Sequence, residues 1–140
     1  MSEEGGVRAI LLAHGSMAIG LVDAVTKISG IGPEVLTPVS NEGKSPQALE
    51  EEIHEIMGDE SMILFTDLGS GSCAFAAMRC LQKDCHQAVV TGVNLPILLD
   101  FVFNRHLPLG ELVPRLVEKG IEAVKASPGY QENVDPSLSS

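Results

Sequence analysis

The chain has 140 residues, with 9 lysines and arginines against 19 aspartates and glutamates, which gives a formal net charge of −10. This length fits one domain, and a content of 44% apolar and 20% charged residues is typical of a globular protein rather than a disordered chain. So acidic a chain is repelled by nucleic-acid phosphates and anionic lipid, and no apolar run approaches the ~20 residues of a membrane span. We therefore expect a cytoplasmic protein with no nucleic-acid partner and no membrane insertion, in which residues 1–126 form the domain and residues 127–140 a polar tail.

The three cysteines are odd in number and form no CxxC pair, so a disulfide framework is not expected. Cys80, Cys85 and His86 lie close together in the sequence, but they lack a fourth ligand and match no zinc spacing. We therefore predict no metal and no other cofactor, and we interpret the cysteines as small buried side chains.

Four short apolar runs predict buried strands over residues 7–13, 34–39, 62–66 and 88–92. The segments between and after them have helical spacing. The predicted helices follow Ser16 up to Gly30, begin at Ser45-Pro46, follow the turn 67–72 through Leu81, and cover residues 95–103 and 109–125.

The apolar positions of the helices predict the faces that pack on the sheet. On the first helix, Ser16 is the expected cap, and the predicted buried positions are Ile19, Leu21, Val22, Val25 and Ile28. On the last helix they are Leu112, Leu116, Val117, Ile121 and Val124.

Strands that alternate with helices imply right-handed crossovers and a parallel sheet. We therefore predict a doubly wound α/β fold, in which a mainly parallel four-stranded sheet of order 2-1-3-4 has helices on both faces. Ligands in such folds bind at the carboxyl ends of the strands where the order reverses, here between the first and third strands. The first strand ends at His14 and the third at Asp67.

A carboxylate hydrogen-bonded to an imidazole fixes its tautomer, leaves the other ring nitrogen with a free lone pair and stabilises the cation formed on attack. Around the pair, Gly15-Ser16 and the turn Gly69-Ser70-Gly71-Ser72 each precede a predicted helix, where backbone N–H groups favour an anion. We therefore predict that His14 and Asp67 are catalytic. The predicted phosphate-binding residues are Gly15, Ser16, Ser70, Gly71 and Ser72. The plainer alternatives are that Asp67 caps a helix and that the loop is only a tight turn, while ordinary surface or packing roles are expected for His54, His86 and His106.

Three segments also carry a family resemblance. They are ILLAHGSMAIGLVDAVTKISG, ILFTDLGSGSCAFAA and VVTGVNLPILLDFVFNR. In this order and at these separations they resemble the mannose-type enzyme IIA of the bacterial sugar phosphotransferase system, over about residues 7–125. The resemblance implies a phosphocarrier in which His14 takes a phosphoryl group from phospho-HPr and passes it to an enzyme IIB, with Asp67 in support and Ser72 in the phosphate loop. It also implies a homodimer with an exchanged C-terminal strand, so the tail is expected to be either that strand or unstructured.

The loop departs from the family pattern of a bulky residue followed by Gly-Gly-Ser-Pro. Gly69 stands at the bulky position, Ser70 at the first glycine and Cys73 at the proline, whereas Gly71 and Ser72 match. We expect the phosphate cradle to persist and the docking of partners over the loop to differ, and the resemblance leaves open which sugar branch is served.

Two other functions fit part of the pattern. One is a regulatory protein that is phosphorylated on His14 but does not pass the group on. The other is a tetrapyrrole metal chelatase, since those enzymes also begin with a strand that resembles LLAHGS, but the required second histidine is missing: His86 falls at the start of a strand, not at its end.

Overall fold

The computed structural model describes residues 6–81 and 86–129, and these form four strands and five helices. The strands are β1 (Arg8–Ala13), β2 (Leu36–Ser40), β3 (Met62–Thr66) and β4 (Gln87–Val90). The helices are α1 (Met17–Ser29), α2 (Pro46–Met57), α3 (Ser72–Cys80), α4 (Leu95–Phe103) and α5 (Leu109–Ala123). None of these helices combines the length and the apolar character needed to cross a bilayer.

The strands form one sheet in the order β2-β1-β3-β4, and every neighbouring pair is parallel. The predicted doubly wound α/β architecture and strand order are therefore confirmed. Because β1 leads to β2 on one side while β3 lies on its other side, the order reverses between β1 and β3. The carboxyl ends of these two strands share one rim of the sheet.

Both faces of the sheet are covered, which explains why the strands read as continuous apolar runs. Along β1, Ala9, Leu11 and Ala13 pack with α1, α4 and α5. Ile10 and Leu12 point to the opposite face and pack with α2 and α3. Alternate side chains thus enter two separate hydrophobic cores.

Local signals at the element ends act largely as predicted. The Ser45 hydroxyl accepts the Ala48 N–H at 3.1 Å at the start of α2, and α1 ends at Gly30 with a φ of 84°, which favours glycine. Pro38 is tolerated because β2 is an edge strand, where a missing N–H on one side breaks no ladder. The Ser16 prediction differs: Ser16 is the N-cap residue of α1, but its side chain makes no capping hydrogen bond.

The prediction of the buried face of α1 is correct for its central residues and wrong for Ile19 and Ile28. Val22 and Val25 are buried, together with Ala18, whereas Ile19 is 61% and Ile28 58% exposed. Each three-residue step falls roughly 60° short of a full helical turn, so four positions at this spacing drift across about half the helix circumference. Only the middle pair can face the sheet.

On α5 the apolar residues extend over more of the helix surface than the part that is buried against the rest of the protein. Leu112 and Leu116 are buried, as predicted, and so is Gly120. Val117, Ile121 and Val124 were predicted inward but are 43%, 71% and 77% exposed. The C-terminal half of α5 therefore carries an uncovered apolar strip.

Candidate functional site

The register of the sheet brings the ends of β1 and β3 together. Leu12 lies opposite Thr66, and the Asp67 N–H continues the pairing by donating to the Leu12 carbonyl at 3.3 Å. His14 and Asp67 follow directly on these strands, so the sheet itself fixes the distance between their backbones.

The Asp67 carboxylate binds His14 twice. Its Oδ2 accepts the His14 backbone N–H at 3.0 Å and lies 2.9 Å from the imidazole Nδ1. Its Oδ1 accepts the Leu68 N–H at 3.0 Å. The Asp67 side chain is 7% exposed and that of His14 is 41% exposed. The carboxylate is thus a fixed acceptor behind a ring that solvent can reach.

The surroundings favour the ionised form of Asp67. Burial alone raises the pKa of this carboxyl, but the hydrogen bonds from the His14 backbone and ring, the attraction to a charged His14 and the Leu68 N–H outweigh it. The pKa of Asp67 therefore lies below its ordinary value of 3.8. Because α3 begins only at Ser72, after the N-cap Gly71, Asp67 is not the cap of that helix.

The loop after Asp67 runs along the other edge of the imidazole. A Cβ built on Gly71 would lie 3.8 Å from both Nε2 and Cε1 of His14. Gly71 has a φ of 94° and a ψ of −173°, a conformation that is essentially restricted to glycine. It therefore lets the backbone turn into α3 close to the ring nitrogen that does not face Asp67.

The two helices that begin beside His14, α1 and α3, start without side-chain caps. In α2 and α4, Ser45 and Asn94 accept a first-turn N–H, whereas α1 and α3 have no side-chain capping bond. The first N–H groups of a helix have no intrahelical acceptor. In α1 the Met17 N–H donates to the His14 carbonyl at 3.2 Å, which leaves the other first-turn N–H groups of α1 and those of α3 available to an anion beside His14. The start of α5, which is remote from the site, is also uncapped.

Asn41 joins the two loops of the site and was not singled out from the sequence. Its Oδ1 accepts the Gly15 N–H at 3.3 Å, and its Nδ2 donates to the Ser72 hydroxyl at 3.3 Å. The Gly15 N–H is therefore engaged, whereas Ser16 is exposed. A signal existed: Asn41 follows β2, the other neighbour of β1, whose carboxyl end lies at the same rim.

Cys73, the second residue of α3, is the other group close to the ring. Its sulfur is fully buried and lies 4.0 Å from His14 Nδ1. Burial raises the pKa of this thiol and the charge of Asp67 raises it further, while a hydrogen bond from Ser72 opposes the shift. Burial, with the charge of Glu50, raises the pKa of Cys80 to about 11. Both cysteines are thus buried, as expected; Cys85 lies outside the described residues.

Ser70, predicted to bind phosphate, is exposed on the loop. The three other histidines are exposed, and each lies on a separate element: His54 on α2, His106 after α4 and His86 before β4. Since the strands are parallel, His86 and His14 lie at opposite rims of the sheet. His86 therefore cannot act together with His14 as the second histidine that the chelatase alternative requires.

Comparison with known proteins identifies the family. The family model EIIA-man, described as PTS system fructose IIA component, matches residues 8–117. The chain is 28% identical over 133 residues to a fructose-specific EIIA component of the phosphotransferase system from Bacillus subtilis, which covers 91% of each chain. It is 29% identical over 102 residues to a sorbose-specific EIIA component from Klebsiella pneumoniae, which covers 71% of this chain and 76% of that one.

Solved structures show the same fold. A crystal structure of phosphotransferase system component EIIA from Streptococcus agalactiae superposes with a TM-score of 0.80 at 21% identity, over 86% of this chain and 96% of that chain. This likeness shows the shared fold, and the family match over residues 8–117 shows that the chain belongs to the EIIA-man family of phosphotransferase system components.

Proposed function

We propose that the chain is a cytoplasmic phosphocarrier in which His14 accepts a phosphoryl group from phospho-HPr and passes it to an enzyme IIB for sugar uptake. The observation that carries this proposal is the 2.9 Å contact between His14 Nδ1 and Asp67 Oδ2. A proton held on Nδ1 by the carboxylate leaves the lone pair on Nε2, the nitrogen beside Gly71.

In the proposed step the Nε2 lone pair attacks phosphorus as the bond to the donor histidine breaks, and the donor ring leaves with that electron pair. The His14 ring keeps its Nδ1 proton and becomes a cation, which the Asp67 carboxylate stabilises. The backbone N–H groups of Ser16, Gly71 and Ser72, at the starts of α1 and α3, bind phosphoryl oxygens, and the Ser70 and Ser72 hydroxyls add donors. Gly15 acts indirectly, since its N–H donates to Asn41.

An apolar rim around His14 suits a protein donor and acceptor. Phe75 and Met78 on α3 are 60% and 57% exposed and line an open groove together with the loop 69–72. In α1, which begins three residues after His14, Met17 and Ile19 of the first turn are 45% and 61% exposed. Exposed apolar side chains grouped around a reactive residue are typical of protein-docking surfaces.

Phosphorylation by purified components tests the proposal. Incubation with phosphoenolpyruvate, enzyme I and HPr should add one phosphoryl group to the wild type and none to His14→Ala. His106→Ala is the matched control, because it removes an exposed histidine from another element and should label normally. Unchanged labelling of His14→Ala would remove His14 from the proposal.

The same labelled protein separates the carrier from the regulatory alternative. A carrier should lose its phosphoryl group to an enzyme IIB encoded near it, whereas a regulator should retain the group in the presence of every such protein. The experiment therefore distinguishes onward transfer from phosphorylation alone.

We also propose that the chain forms a homodimer. Among the described strands β4 pairs only with β3, so it lies at an edge of the sheet, a position where another strand can be added. At the carboxyl end of β4, a groove between the turn 90–94 and α5 includes the exposed strip Val117, Ile121 and Val124. The expected exchanged segment is residues 127–140; residues 127–129 have no regular secondary structure, and the rest lies outside the described residues. Light scattering should give twice the 14.8 kDa chain mass, and Ile121→Asp should lower it.

A further inference from the structure

The phosphotransfer scheme leaves one group at the site without a role, the thiol of Cys73. The sulfur lies 4.0 Å from His14 Nδ1, which in turn lies 2.9 Å from Asp67 Oδ2. Ligand atoms of the three side chains all lie within 4.8 Å of one another, and within residues 6–81 and 86–129 this is the one such group of histidine, cysteine and acidic side chains.

Thiolate, imidazole and carboxylate are the side chains that bind zinc, with bond lengths of about 2.3 Å to sulfur and 2.0–2.2 Å to nitrogen and oxygen. In a tetrahedral site these bonds put nitrogen roughly 3.3 Å from oxygen and roughly 3.6 Å from sulfur. The two separations from Nδ1, 2.9 and 4.0 Å, are therefore within about half an ångström of that geometry. The sulfur and the carboxylate oxygen, which lie within 4.8 Å of each other, would approach to roughly 3.6 Å on binding. Side-chain torsions can supply such a shift.

The charges also match a divalent cation. A thiolate on Cys73 and the carboxylate of Asp67 together carry two negative charges, and both side chains are buried. A doubly charged cation between them makes the site neutral, which removes the cost of burying unpaired charge. The coordinating cation itself deprotonates the thiol.

We propose that a thiophilic divalent cation such as zinc binds His14 Nδ1, the Asp67 carboxylate and the Cys73 thiolate, and that this binding blocks phosphoryl acceptance at His14. Three protein ligands leave the fourth position to water. The His14 side chain is 41% exposed and that of Asp67 7%, so the cation would enter past the His14 ring.

The cation would block phosphoryl acceptance because it changes the tautomer of the His14 imidazole. This effect on phosphoryl acceptance rests on the proposed function. The cation takes the Nδ1 lone pair, so the proton of the neutral ring moves to Nε2. A protonated Nε2 has no lone pair with which to attack phosphorus. The Cys73 thiol releases its proton to solvent, and the Asp67 carboxylate, now bound to the cation, no longer stabilises a ring cation.

Metal binding is tested without any phosphoryl donor, by competition with a chromophoric chelator using zinc alone. The wild type should bind one zinc per chain, and Cys73→Ala, which removes one of three ligands, should bind on the order of 100-fold more weakly. Cys80→Ala is the matched control: Cys80 is also a buried thiol on α3, but its sulfur lies 3.9 Å from the Glu50 carbonyl rather than near His14. Cobalt bound to the wild type should show a thiolate charge-transfer absorption that Cys73→Ala lacks.

The blocking effect is tested by the rate of phosphoryl transfer from purified phospho-HPr with and without zinc, compared within each variant. With free zinc at about ten times its Kd, about one tenth of the wild type stays metal-free, so its rate should fall by about tenfold and return with a chelator. The rate ratio for Cys73→Ala should stay near one, which also controls for any effect of zinc on the donor.

Equal zinc affinity of the wild type and Cys73→Ala, or unchanged phosphoryl acceptance by the zinc-loaded wild type, would overturn this proposal. A wild type that accepts no phosphoryl group in the absence of zinc would instead refute the proposed function. The chelator competition would still decide whether the metal site exists.

Discussion

Replacing Asp67 with asparagine removes the carboxylate charge and keeps the shape of the side chain. The carboxylate accepts three N–H groups, two from His14 and one from Leu68. If the asparagine oxygen faces His14, its NH2 group faces the Leu68 N–H and cannot accept it. In the reverse orientation the NH2 group faces both N–H groups of His14 and can accept neither. Either way at least one hydrogen bond is lost, and the ring cation loses its counter-charge.

The size of the effect follows from the bond that is lost. A hydrogen bond to a charged group contributes about 1.5–3 kcal/mol, and about 1.36 kcal/mol of barrier is tenfold in rate, so transfer to His14 should slow by roughly 10- to 150-fold. The free energy of unfolding should fall by about 1–3 kcal/mol for the same reason. In the reverse orientation the NH2 group also favours the proton on Nε2, which adds to the loss of rate.

A rapid-quench measurement of phosphoryl transfer from labelled phospho-HPr, together with urea denaturation, separates the two effects. Asp100→Asn is the matched control, because Asp100 is a largely buried carboxylate that pairs with Arg115 at 2.9 Å on α4 and α5. It should lose stability and transfer at the wild-type rate. If Asp67→Asn transfers as fast as Asp100→Asn, the carboxylate has no part in phosphoryl transfer and its contacts serve folding alone.

Three other predictions test the surroundings of the pair. The pKa of Asp67 lies below 3.8, so the folded chain binds this proton less readily than the unfolded chain; the stabilisation is present above about pH 3.8 and is lost as the pH falls through the folded pKa. In urea, the stability difference between the wild type and Asp67→Asn should therefore be largest near neutral pH and shrink below about pH 3.8; a difference that grows on acidification would contradict this. Gly71→Ala should lower the free energy of unfolding by about 1–3 kcal/mol and slow phosphoryl transfer, because Gly71 has a φ of 94°. Gly20→Ala, in open space on α1, should leave the free energy of unfolding unchanged or raise it slightly. Asn41→Ala removes the hydrogen bonds to Gly15 and Ser72. It should lower the free energy of unfolding by about 1–2 kcal/mol and slow phosphoryl transfer. Transfer at the wild-type rate would mean that the two loops keep their positions without Asn41.

The sequence was sufficient for the features that local pattern controls. β3 and α4 have the predicted bounds, because a short apolar run between polar residues and a proline in the first helical turn are both local signals. The strand order followed from the alternation of strands and helices, and it placed His14 and Asp67 at one rim.

Features that depend on three-dimensional neighbours were not predictable in this way. The exposure of Ile121 and Val124 depends on how far the sheet extends beneath α5, which the apolar pattern of α5 does not record. The contact of Cys73 with His14 depends on the rotation of α3 about its axis. The position of Asn41 at the rim could be predicted from the end of β2, but its bridge to Gly15 and Ser72 depends on the approach of two loops that are remote in sequence. Side-chain contacts of this kind leave no periodic signal.

In the proposed phosphocarrier, Asp67 is hydrogen-bonded to Nδ1 of His14, so Nε2 is left to accept the phosphoryl group. Phosphorus–nitrogen coupling in NMR spectra of the phosphorylated protein, with 15N in the histidine rings, reports directly which ring atom carries phosphorus. The account predicts a single phosphohistidine, at His14, with phosphorus on Nε2. Phosphorus on Nδ1 of His14, or on another histidine, would contradict it.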